Sequence, residues 1–259
     1  MPAAKVNGAD VHFALTGRDA DPVIVLSNSL GTNFSMWDPQ VPELEKQFRV
    51  LRSDTRGEGL TSATPGPYTI EQLARDVLGL MDVLRIERAY FCGLSMGGMI
   101  GMWLGLNAPN RFDKLVLCNT APKIGTPETW QARIDAIRRG GMAAVAESVC
   151  ERWFTPAFRA RSPEVVAPIR TMIESMPPKG YIANCEAVRD FDVREQIAQI
   201  RTPTLVISGT HDPATPPRDG QFIAERIAGA RYVELDTSHL SNIAAPAEFT
   251  AALTDFLAA

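Results

Sequence analysis

The chain has 259 residues, 45% of them hydrophobic and 22% charged, with a formal net charge of −4. That composition excludes a disordered or fibrous chain, and without a long basic run it argues against nucleic-acid binding. No apolar run approaches the roughly 20 residues of a membrane span, and residues 1–11 lack a signal peptide's basic start and apolar stretch; a soluble, cytoplasmic protein acting on a small molecule is expected.

In chain order, Asn7-Gly8 between two short β-forming stretches predicts a hairpin at the edge of a sheet, with His12 an ordinary residue of its second strand. Short apolar runs follow at 23–26, 50–51, 89–94, 115–118, 204–208 and 232–235, the mark of buried parallel strands. Between them the pattern turns helical. Over 69–85, Ile70, Leu73, Val77, Leu80, Met81 and Leu84 share one face behind Thr69 as the cap, and 246–257 repeats the logic with Phe249, Leu253, Phe256 and Leu257. Alternating strands and helices predict an α/β class fold with a mostly parallel, doubly wound sheet.

One connection breaks the alternation. Roughly 85 residues separate Asn119 from Thr204, more than a single crossover helix requires. Helices are predicted at 128–139, 142–153 and 163–175, with Pro177-Pro178 interrupting a further segment. A helical cap at 122–190 is therefore expected, inserted into a core made of 1–121 and 191–259. Cys92, Cys118, Cys150 and Cys185 lack metal-type pairing and read as reduced packing residues.

The chemistry centres on Gly93-Leu94-Ser95-Met96-Gly97, which follows an apolar strand and precedes the helix-like stretch from Gly98. This is the setting of a nucleophile elbow, a strained turn that exposes a serine hydroxyl between small neighbours. Such a hydroxyl needs a base, oriented by a carboxylate. Of three histidines, His239 lies past the last strand and before the last helix, where it can reach the carboxyl edge of the sheet. His211 adjoins Asp212 and reads as structural. Asp212 stands just beyond a strand end, where catalytic groups gather in such sheets. Asn119, at the preceding strand end, is uncharged, and Asp236 reads as a turn residue. The oxyanion donors are expected to be the N–H groups of Met96, next to the serine, and Leu30, in the loop after residues 23–26.

The order Ser95, Asp212, His239 with an inserted cap resembles the α/β-hydrolase family over essentially the whole chain. More narrowly, the chain resembles the 3-oxoadipate enol-lactonases of aromatic-compound degradation. The match lies in 27–33 (Ser27-Asn28-Ser29-Leu30-Gly31-Thr32-Asn33), Asp54-Thr55-Arg56-Gly57, Arg152-Trp153-Phe154-Thr155-Pro156 and Gly93 to Gly98. Asn28-Ser29 in place of the broad family's His-Gly is typical of the enol-lactonases. Glu58 departs the other way, since relatives usually have histidine there.

The resemblance implies a serine hydrolase that opens a five-membered enol-lactone bearing a carboxylate, through an acyl-enzyme and with neither metal nor organic cofactor. The substrate carboxylate implies a cationic partner. Arg133, three residues after Trp130 on the 128–139 helix, is the candidate, against a competing reading as a solvated helix residue. Trp130, Trp153 and Met142 are candidates for the pocket wall, against simple core packing. The same triad would serve a generic carboxylesterase or a hydrolase of carbon–carbon bonds in ring-cleavage products. A noncatalytic binding protein on the same fold is the alternative from another class. Oligomeric state and exact substrate are not legible.

Overall fold

Asn7 and Gly8 both take positive φ, 47° and 81°, as a two-residue primed turn requires. They join β1 (Ala3–Val6) to β2 (Ala9–Thr16) in an antiparallel hairpin. The computed structural model describes residues 2–259.

β2 pairs antiparallel with β4 (Arg49–Ser53). From there the sheet is parallel through β3 (Val23–Ser27), β5 (Ala89–Leu94), β6 (Phe112–Cys118), β7 (Thr204–Gly209) and β8 (Arg231–Leu235). The eight strands run in the order β1-β2-β4-β3-β5-β6-β7-β8. Covered on both faces, β5 and β7 are apolar with almost no alternation. β8, at the edge, is only partly buried.

α1 (Val41–Leu44) is a single turn. α2 (Ile70–Val83) starts where expected, the Thr69 hydroxyl accepting the Gln72 N–H at 3.0 Å. It stops two residues before the predicted end because Arg85 turns left-handed at φ 58°. α3 (Met96–Asn107) begins two residues before the expected helix-like stretch. Its residues are buried nearly all round, so no apolar period marks its start.

Five helices lie between β6 and β7: α4 (Pro127–Gly140), α5 (Ala143–Trp153), α6 (Pro156–Arg161), α7 (Pro163–Glu174) and α8 (Pro178–Asp190). Four of them open on proline, whose fixed φ and missing N–H suit a first turn. Pro177-Pro178 thus starts α8, and does not interrupt a segment as the sequence suggested. α6 is too short to show a period, and α9 (Pro217–Arg226) also went unforeseen. α10 (Ser241–Ala244) and α11 (Pro246–Ala258) close the chain.

Among the contacts that fasten these five helices to the loops of the sheet, two bear on the site. Gly57 and Gly180 meet backbone to backbone: a Cβ on Gly57 would stand 2.7 Å from the Gly180 α-carbon. Beside them the buried Asn184 amide donates to the Arg56 carbonyl at 2.9 Å, a bond whose loss would strand a polar group at about 1–3 kcal/mol. At the other end, the Leu240 N–H donates to the Trp153 carbonyl and the Ser238 hydroxyl to that of Arg152, at 3.2 and 2.8 Å. The end of α5 is thereby tied to the loop that carries His239. All four cysteines are buried free thiols.

Candidate active site

Ser95 sits between β5 and α3 at φ 58°, ψ −113°, a region costing a non-glycine residue about 1–3 kcal/mol. The surroundings hold it there. Its N–H donates to the Cys118 carbonyl at 2.9 Å, its carbonyl accepts the Thr120 hydroxyl at 2.8 Å, and the Gly97 N–H donates to Asn28 at 3.0 Å. A Cβ on Gly93 would strike the Gly97 carbonyl, and one on Gly97 the Ser27 carbonyl; only glycine lets strand and helix converge on the serine.

Asp212 follows β7 and His239 follows β8, and the two side chains meet. His239 Nδ1 and Asp212 Oδ2 are 2.7 Å apart, with side-chain exposures of 3% and 0%. Asp212 is supplied with further donors: its Oδ1 accepts the N–H groups of Ala214 and Thr215 at 2.8 and 3.1 Å. Its Oδ2 also accepts the Thr215 hydroxyl at 2.7 Å and the Asn119 amide at 3.1 Å. Burial pushes this carboxyl up, but the charge and hydrogen bond of His239, with those of Thr215, outweigh it and hold the carboxyl below its ordinary range. With Nδ1 engaged, Nε2 is the nitrogen left for chemistry.

His239 and Ser95 line one cavity of about 500 Å³. No hydrogen bond joins their side chains; catalytic hydrogen bonds of this kind tighten in the Michaelis complex. His211 pairs instead with Asp236 at 2.8 Å, both exposed and away from this cavity. His12 is bound to Asp54 at 2.8 Å in the buried part of β2.

Of the four N–H groups at 29–32, three are engaged: Ser29 with the Met36 sulfur, Gly31 with Glu58 Oε1 and Thr32 with the Ser29 carbonyl. Leu30, which lines the cavity, has no acceptor among the described residues. Nor has Met96, whose N–H opens α3 and belongs to the unpaired first turn.

The far wall comes from α4 and α5. Trp130, Arg133 and Trp153 all line the cavity. The Arg133 guanidinium stacks 4.7 Å above the Trp130 ring, whose Nε1–H is held by the Ile124 carbonyl at 2.7 Å. Met142 does not line the cavity: it caps the start of α5 and its side chain is absorbed in the hydrophobic core. Arg152 was missed in the sequence, although it adjoins Trp153 in a stretch already singled out. Neither Arg133 nor Arg152 has a carboxylate within ion-pair distance among the described residues. Burial, and then the like charge of Arg133, bring the Arg152 guanidinium down to about 10, which leaves it cationic at neutral pH. Among the described residues no three His, Cys, Asp or Glu side chains gather as a metal-ion site.

A family model described as the alpha/beta hydrolase fold matches residues 22–140. 3-oxoadipate enol-lactonase 2 of Acinetobacter baylyi is 42% identical over 94% of this chain and 91% of its own. A putative carbamate hydrolase, RutD, of Stutzerimonas stutzeri is 30% identical over 96% and 97%. Among solved structures, the enol-lactonase from Burkholderia xenovorans superposes with a TM-score of 0.98 at 52% identity, covering 100% of both chains.

Proposed function

Because the chain belongs to the α/β-hydrolase family and is an ester (lactone) hydrolase, we propose that it opens 3-oxoadipate enol-lactone to 3-oxoadipate. The observation that carries this reading is the pair of uncompensated arginines, Arg133 and Arg152, in the cavity that holds Ser95 and His239. A neutral ester leaves them unmatched. A lactone carrying a carboxylate supplies one anion and its ring-opened product two, and a charge-assisted hydrogen bond contributes about 1.5–3 kcal/mol. Two relatives named as 3-oxoadipate enol-lactonases, at 42% and 38% identity, support the same substrate.

In this reading Ser95 Oγ attacks the lactone carbonyl carbon while His239 Nε2 takes its proton, and Asp212 stabilises the resulting imidazolium. The Leu30 and Met96 N–H groups receive the oxyanion, each worth about a hundred- to a thousandfold in rate. Collapse of the tetrahedral intermediate breaks the bond from carbonyl carbon to ring oxygen. His239 returns the proton to the departing enol oxygen, and the enol tautomerises to the ketone while the chain stays esterified to Ser95. Water, deprotonated by His239, then attacks the acyl carbon; the bond to Ser95 Oγ breaks, His239 gives its proton to that oxygen, and a second carboxylate is left. Residues 122–190 act as the cap over this chemistry, with 1–121 and 191–259 as the core. Four free thiols suit a reducing, cytoplasmic setting, and no helix among the described residues is long and apolar enough to cross a membrane.

The test is kcat/KM on the enol-lactone beside a neutral p-nitrophenyl ester, with Ser95→Ala as control. A strong, Ser95-dependent preference for the lactone is expected. Equal or greater activity on the neutral ester would keep the serine chemistry and discard the substrate.

A further inference from the structure

Glu58 is wholly buried, yet the reaction sketched above gives it no part. It lies on a loop fixed from all sides. Asp54 accepts the N–H groups of Phe34 and Leu60, Arg56 grips Asp76 with two nitrogens, and the Glu58 N–H donates to the Thr55 carbonyl at 2.9 Å. From that base Glu58 Oε1 accepts the Gly31 N–H at 2.7 Å, while its Oε2 has no partner among the described residues. A buried acid with half its hydrogen-bonding capacity unused is an unfavourable choice unless the remaining bond matters.

That bond acts on the peptide next to Leu30. Two peptide planes flank the Leu30 α-carbon, and each is pinned. The Ser29 carbonyl is held by the Thr32 N–H and hydroxyl at 3.2 and 2.7 Å, which turns the Leu30 N–H of the same plane the opposite way. The following plane is held by Glu58 through Gly31. Gly31 itself, at φ 86°, has the conformational latitude to let that plane rotate. Tyr181 from α8 and Trp153 from α5 cover it on the other side; a Cβ there would stand 2.8 Å from the Tyr181 ring and 3.8 Å from that of Trp153.

We propose that Glu58 is a positioning residue: by holding the Gly31 N–H against the packing of Tyr181 and Trp153, it keeps the Leu30 N–H aimed at the developing oxyanion. Burial pushes the Glu58 carboxyl well above its usual range, against the pull of the Gly31 hydrogen bond and with Asp54 adding to the rise, which favours the neutral acid. Glutamine is therefore its close isostere, with an oxygen to accept the same N–H. The inference rests on the assignment of Ser95 as nucleophile and Leu30 as oxyanion donor, and not on the identity of the lactone.

The experiment compares Glu58→Ala, Glu58→Leu and Glu58→Gln on the enol-lactone and on p-nitrophenyl acetate, with Ser95→Ala alongside and folding checked by near-ultraviolet circular dichroism. A misaimed donor forfeits part of the hundred- to thousandfold that one donor supplies. Ala and Leu are expected to lower kcat about ten- to a hundredfold on both substrates with KM within about twofold, and Gln to restore kcat to within about threefold. The proposal is overturned by kcat near wild type in Ala or Leu, by a change confined to KM, or by Gln no better than Ala. Failure of both Ala and Leu to fold while Gln folds would assign Glu58 a structural role only, and also overturns it. Full activity in Ser95→Ala would instead remove the serine mechanism itself.

Discussion

The Asn119 amide donates to Asp212 Oδ2 at 3.1 Å while its own oxygen accepts the Ser241 hydroxyl at 2.6 Å. The end of β6 thereby steadies a carboxylate at the end of β7. Every other neighbour of Asp212 within hydrogen-bond reach is likewise a donor, so an amide in its place would set one N–H group against others. Asp212→Asn is expected to lower kcat by roughly four orders of magnitude, as the corresponding exchange does in the serine proteases. A loss below tenfold in kcat would transfer the role to another acid.

Ser95 holds a strained backbone conformation at φ 58°. Ser95→Gly should abolish turnover yet stabilise the fold by about 1 kcal/mol, since glycine relieves a left-handed conformation and returns part of the gain as unfolded-state freedom. Denaturant midpoints of wild type, Ser95→Ala and Ser95→Gly check this. Ala, which keeps the Cβ, should show no such gain.

The two arginines of the cavity make a substrate-dependent prediction. Arg133→Ala and Arg152→Ala should each raise KM for an anionic lactone about ten- to a hundredfold, the worth of one charge-assisted bond, and leave KM for a neutral ester within about threefold. Steady-state kinetics on both substrates decides it, and equal effects would take the arginine in question out of the binding site.

Two buried carboxyls shift in opposite senses, and stability should record both. Glu58 is raised in the folded chain, so its contribution is fully present below the unfolded value of about 4.3 and is lost as pH rises through the folded value. Glu58→Gln should therefore melt increasingly above wild type as pH rises past that unfolded value. Asp212 is depressed, so its contribution is present above the unfolded value of about 3.9 and lost as pH falls through the folded one. The deficit of Asp212→Asn should shrink on acidification below pH 4. Parallel melting curves against pH would contradict these shifts.

Strands, the elbow and the long helical connection were legible because each leaves a local mark: an apolar run, a glycine-framed serine, a break in alternation. α3 lost its start because a helix buried all round has no period, and α6 was too short to have one. Arg133, singled out by its spacing to Trp130 against a solvated reading, lines the cavity. Arg152 lay in a recognised stretch but was masked by the tryptophan beside it, and Met142, weighed as pocket wall or core, packs in the core, a choice that helical phase alone does not make. Asn119 was weighed as a rival to Asp212, when the fold makes it a supporter. Glu58 could be seen only as an exception; what it holds is set by a loop 27 residues earlier.

The contact of Gly57 with Gly180 decides where the molecule can be redesigned. Neither position tolerates a side chain, so the root of α8 is a fixed foundation shared by any descendant with this architecture. α4 and the part of α5 before Arg152 carry the cavity wall without such a backbone contact, so new specificities should accumulate there, and a library confined to those residues would sample the most pockets for the fewest misfolded clones.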